Sequence, residues 1–160
     1  MPLIYAKQGD TLTAQLAERL RYEGQDLAMC TNPLSDYFAM GGANPGFVSS
    51  CTALWRGYVG SWEIIAGRLY LTSISGTIES GSEASLTTIF PDSSDRVFAH
   101  WYSGRIRIPQ GKQLEYVHMG YASIFERDLF LDLERGVVKN TYTCHNGKAE
   151  SETDPKDYEV

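Results

Sequence analysis

Leu129, Leu131 and Leu133 alternate with Phe130, Asp132 and Glu134, and this strict period of two restricts the fold more than any other feature of the chain. Only an extended backbone sends successive side chains to opposite faces, so the stretch reads as a strand with one hidden face. The same alternation recurs from position 53 to 142. With Ala66 and Gly67 at a hairpin tip, Ile64 falls opposite Leu69 and Trp62 opposite Leu71, Tyr58 extends that apolar face, and the reverse face pairs Ser61 and Glu63 with Thr72 and Tyr70. Val97, Ala99 and Trp101 alternate with Phe98, His100 and Tyr102; Ser103-Gly104 then turns the chain into Ile106 and Ile108, giving a second hairpin that Pro109-Gln110-Gly111 ends. LEYVHM, YASIFE, LFLDLE and VVKNTYT follow as strands broken at Gly120, Arg127-Asp128 and Arg135-Gly136. The expected fold is mainly β: an antiparallel meander of roughly seven to nine strands curled into a barrel or sandwich.

Two or three short helices accompany it. Asn32 caps a turn that begins at Pro33, and Leu86, Ile89 and Phe90 recur at helical spacing between a Ser82 cap and Pro91. Leu12, Leu16 and Leu20 fit one face of a helix slightly better than one side of a strand. YEGQDL, residues 22–27, turns between two extended pieces, and GGANPGF, residues 41–47, is a loop.

A chain of 160 residues is long enough for one domain with its own core, placed at residues 1–148. The net charge of −6 is unevenly spread, because residues 149–160 hold five acids and one lysine; this acidic tail reads as disordered. The remainder, close to neutral, has no Lys/Arg stripe for phosphates, which argues against nucleic acid. No apolar run approaches a membrane span, and MPLIYAKQGD lacks the apolar stretch of a leader. Cys30, Cys51 and Cys144 are odd in number and widely spaced, so reduced thiols in the cytoplasm are expected.

Motifs for chemistry are sparse. His100 and His118 lie apart, and Cys144 and His145 are neighbours whose side chains diverge on a strand, so no metal site is expected. There is no nucleophile elbow, phosphate loop or dinucleotide fingerprint, so no cofactor is expected; Cys51 with His118 is a dyad only on paper. Glu63, Glu115, Glu126 and Asp128 could face one another across a sheet as acid and base, but the polar side of a half-solvated sheet produces the same set. Arg56 stands out because it shares parity with Leu54, Tyr58 and Trp62 on an apolar face. A guanidinium there must meet a carboxylate, stack on Trp62 or Tyr58, or open into a ligand cleft.

The blocks CTALWRGYVGSWEI, GRLYL, GRIRIPQGK and LEYVHMGYASIFERDLFL, with YEGQDLAM and PLSDYF, resemble a family of small uncharacterised bacterial cytosolic proteins over about residues 20–143. The resemblance implies a β-rich fold and no established activity, so no catalytic residue is carried over. In size and lack of enzyme motifs the chain is similar to immunity proteins that neutralise a bacterial toxin.

Two expectations follow. The first is a non-enzymatic protein-binding module, an immunity-type inhibitor of a basic toxin domain, with Glu63, Tyr70, Tyr102, Glu115, Glu126 and Asp128 exposed as its contact residues. The second is a small-molecule-binding protein or enzyme with a pocket inside the curled sheet, lined by Arg56, Tyr58, Trp62, Trp101, Tyr116 and His118.

Overall fold

A computed structural model describes residues 14–148 of the chain. Its hairpins form where turn chemistry and apolar alternation agree. Strands β1 (Glu18–Tyr22) and β2 (Gln25–Met29) meet at Glu23-Gly24, and β3 (Tyr58–Ile65) and β4 (Arg68–Gly76) meet at Ala66-Gly67. Both turns hold two residues at positive φ, 50° and 76° in the first, 52° and 74° in the second, the twist that antiparallel strands require of a two-residue loop. Ile64 pairs with Leu69, Trp62 with Leu71 and Glu63 with Tyr70, as the parity predicts. Ser61 pairs with Ser73 instead of Thr72, because a bulge leaves Thr72 unpaired and turns its hydroxyl to the Ser61 carbonyl at 2.9 Å.

The remaining strands are β5 (Val97–Phe98), β6 (Gly104–Glu115), β7 (Ile124–Glu134) and β8 (Val137–His145). Among the described residues the strands form one eight-stranded sheet in the order β2-β1-β3-β4-β8-β7-β6, with β5 attached to β4. The sheet is mixed, since β1 runs parallel to β3, which corrects the all-antiparallel meander. A parallel pair needs a long crossover, and helix α1 (Pro33–Ala39) and a 3-10 turn (Thr52–Leu54) lie within it. Nor does the sheet close into a barrel. Its ends approach through the Cys30 amide, 2.8 Å from the Arg107 carbonyl, without a continuous ladder between β2 and β6.

Other expectations need correction. Leu20 lies in β1 and Leu16 is exposed, so the helix over these leucines does not form; Leu12 and the acidic tail lie outside the described residues. RVFAHWY makes no hairpin with Ile106 and Ile108: Val97 and Phe98 pair with β4, and the chain then turns, Tyr102 N–H to Ala99 C=O at 3.0 Å. Pro109 does not end its strand, because β6 is the last strand in the sheet order and a missing N–H is tolerated there. β7 runs straight through Arg127-Asp128. LEYVHM leaves the sheet after Glu115, and residues 116–123 form a loop. Helix α2 (Leu86–Ile89) starts at Ser85 rather than Ser82, through a reciprocal cap with Thr88.

The core sits on one face of the sheet. Leu20, Trp62, Leu69 and Leu71 line one half, and Ile106, Ile108, Leu131 and Leu133 the other, all buried. Trp101, from the turn after β5, stacks on Phe90 at 5.7 Å, meets Tyr37 of α1 at 4.9 Å, and donates its indole N–H to the Pro33 carbonyl at 2.8 Å. No helix among the described residues is long and apolar enough to cross a membrane.

Candidate functional site

Two charges sit where alternation should place hydrocarbon. Glu18 shares parity with Leu20 and Tyr22 on the inner face of β1, and its side chain is fully buried. Its carboxylate accepts from the Arg56 Nη2 at 2.7 Å, the Gly60 amide at 2.7 Å and the Trp62 indole at 3.0 Å. Gly60 has a reason to lack a side chain, since a Cβ there would lie 2.6 Å from the carboxylate. Arg56 comes from the loop before β3, lies 5.4 Å from the Tyr58 ring centroid, and leaves its Nε without a partner among the described residues. Burial pushes the Glu18 carboxyl above the usual range, against the pull of the Arg56 charge and the three hydrogen bonds. Burial likewise raises the Tyr58 phenol to about 12, while its hydroxyl rests 2.6 Å from the Ser35 hydroxyl.

A second cluster clasps the 116–123 loop to this end of the sheet. Arg107 holds Asp128 through Nε at 2.8 Å, the Tyr121 carbonyl through Nη1, and the Ser123 carbonyl through Nη2 at 2.8 Å. The Tyr121 hydroxyl donates to the Asn32 side chain at 2.6 Å, which explains why Asn32 does not cap α1 with its own side chain. The arrangement consumes its charges in mutual contacts. It positions a loop.

The outer face differs. Arg19, Arg21, Asp26, Ala28, Ser61, Glu63 and Thr72 line a groove of about 590 Å³ across β2, β1, β3 and β4. Ala28, Arg19 and Ser61 stand in one cross-strand row, and Asp26, Arg21, Glu63 and Tyr70 in the next. Arg21 pairs with Asp26 at 2.9 Å with both side chains well exposed, and Arg96 lies 4.4 Å over the Tyr70 ring.

Of the expected contact residues, Glu63 and Tyr70 are thus directly paired on this face. Two must be corrected. Tyr102 is 4% exposed, with its hydroxyl given to the Arg105 carbonyl at 2.9 Å, and Asp128 is 8% exposed and held by Arg107 and Asn146. Glu115 is exposed at the end of β6, and Glu126 is half-buried with an oxygen on the Lys112 amide at 2.8 Å; both belong to the β6-β7 half of the sheet. Of the expected pocket, Arg56, Tyr58, Trp62 and Trp101 do gather on the inner side, but packed against Glu18 and one another: Trp62 and Trp101 meet edge-on at 6.5 Å. Tyr116 and His118 are exposed instead and touch each other, hydroxyl to Nδ1 at 3.2 Å, because their segment left the sheet.

Glu18, Arg107 and Tyr121 were not singled out from the sequence. The signal for Glu18 was present, a lone carboxylate at the parity of Leu16, Leu20 and Tyr22, matching the lone guanidinium at the parity of Tyr58 and Trp62. Arg107 and Tyr121 carry no such signal, since their partners come from loop carbonyls. No group of histidine, cysteine and carboxylate residues with metal-binding geometry occurs among the described residues. No protein-family model matches the chain, and no curated protein or solved structure is similar to it.

Proposed function

We propose that the chain is a non-enzymatic protein-binding module of the immunity type, which neutralises a toxin domain by covering part of its surface. The observation that carries this reading is the outer groove, where Arg19 stands between the small residues Ala28 and Ser61 and the next row presents Asp26, Arg21 and Glu63. The small neighbours on either side let a partner approach Arg19 closely, and charges of both signs set its register. Tyr70 with Arg96 stacked on it extends the groove by the residue types that dominate binding hot spots. The inner aromatic face offers less to a ligand, since Trp62 and Tyr58 are each 2% exposed. The net charge of −6 favours a basic partner. The same reading includes a cytoplasmic location, where exposed Cys51 and Cys144 stay reduced.

The test is co-expression of the neighbouring open reading frame in a bacterium with and without this chain. Growth arrest relieved only by the intact chain is expected, and Glu63→Lys, which sets a second cation beside Arg21, should weaken rescue and binding by about tenfold without lowering the melting temperature. A neighbouring product that is harmless, or full rescue by Glu63→Lys, overturns the reading.

A further inference from the structure

The strand β8 pairs with β7 along its whole length but with β4 only at its first residues. Val137 faces Arg68, the Val138 amide reaches the Gly67 carbonyl at 2.8 Å, and the ladder stops there. Two features cause the parting. β4 itself begins here: in the antiparallel register Lys139 and Asn140 would face Ala66 and Ile65, which belong to the β3-β4 turn and to β3, so β8 runs past the start of β4. Leu133 pairs with Val138 and Asp132 with Asn140, so Lys139 is an extra residue, and such a bulge bends its strand and sharpens its twist. Lys139–His145 therefore keep one main-chain edge that pairs with no other strand among the described residues. Six of these seven residues are exposed, and the contact from Tyr22 is to the side chain of Thr141, not to its main chain.

A free edge of this length is a template for strand addition, since each unpaired N–H and C=O can be matched by an extended partner. Thr141, Tyr142 and Thr143 favour the extended state. Charge narrows the partner. Residues 135–148 carry Arg135, Lys139 and Lys148 and not one carboxylate, in a chain whose net charge is −6. The acids that face Lys139–His145 from β7 are already engaged, Asp132 by Arg105 at 2.9 Å and Asp128 by Arg107 at 2.8 Å. A second copy would bring two cationic edges together, which argues against self-pairing.

We infer that the β8 edge from Lys139 to His145 is a strand-addition site for an extended, acidic segment of a partner protein. This surface is separate from the outer groove and opposite in charge preference, so its failure and that of the groove are independent. The probe is a short blocked peptide alternating Glu with Val and Thr, compared with the same peptide carrying Lys in place of Glu, added to the full chain while amide exchange is followed by NMR. The acidic peptide should bind at least about tenfold tighter and protect every second amide from Lys139 to His145, the mark of a paired edge. Lys139→Glu with His145→Glu, both at exposed positions, should abolish that preference while leaving the melting temperature unchanged. Equal binding of the two peptides, or protection elsewhere, overturns the inference. So does protection of these amides in the free chain, which means that the chain covers its own edge, or in a concentration-dependent dimer, which makes a second copy the occupant.

Discussion

Glu18 and Arg56 show how one pair of side chains can govern a parallel junction. The carboxylate ties the loop before β3 to β1 through Arg56, and it also holds the β3 main chain at Gly60. Breaking a buried pair from one side leaves an uncompensated charge, typically about 3–5 kcal/mol. Arg56→Met should therefore lower unfolding stability by that order near neutral pH, as read from urea denaturation. The pH dependence has a definite sign. Burial already raises the Glu18 carboxyl, and losing the guanidinium, which opposes that rise, raises it further. A carboxyl raised in the folded state contributes stability that is complete below its unfolded range and is lost as pH rises through the folded value. The Arg56→Met deficit should thus shrink toward pH 4 and grow toward pH 7; a constant deficit would show that Glu18 does not titrate there. The sequence marked Arg56 as needing a carboxylate, an aromatic face or a cleft, and it has the first two, Glu18 and Tyr58. What it did not reveal was which of 20 acids answers, because residue 18 and residue 56 meet only through pairing remote in sequence.

At the scale of elements, turns are where local chemistry can be adjusted. Ala66 holds φ 52° at a position suited to glycine or asparagine, and a left-handed L-residue costs roughly 1–2 kcal/mol. Ala66→Asn or Ala66→Gly should raise the melting temperature by a few degrees, about the shift that 1 kcal/mol produces in a chain of this size. Gly136 is the converse. It sits at φ 80° and a Cβ would lie 2.6 Å from the Ala99 carbonyl, so Gly136→Ala should destabilise by at least about 1–2 kcal/mol in the same melting experiment. Two-residue hairpins were legible because both strands and their turn are contiguous. The hairpin expected between RVFAHWY and Ile106 was not formed, although its alternation is as regular, because β4 offers Val97 and Phe98 a partner edge and β7 takes all of β6. Alternation reports that a segment is extended. It does not name the neighbour.

The whole molecule combines a net charge of −6 with a cationic strand edge and an outer groove of mixed sign. If a basic partner occupies the groove, its association rate should fall by about tenfold between low and high salt, because steering acts beyond contact and is screened within a Debye length. Stopped-flow mixing reads this directly, and a salt-independent rate would remove the charge argument. What the sequence determined by itself is local: a mainly β chain, the pairing register on either side of Ala66-Gly67, the helix starting at Pro33, and the apolar alternation that buries Trp62, Ile106, Ile108 and Leu131. These follow from periodicity and backbone sterics, which act between residues a few positions apart. Tertiary structure alone decided that β1 lies parallel to β3, that β8 runs past the start of β4, that Tyr102 and Asp128 are buried, and that Tyr116 and His118 are not. Each of those depends on which distant strand completes a hydrogen-bonded edge. An edge carries no side-chain code, so the choice is made by the packing of the entire sheet.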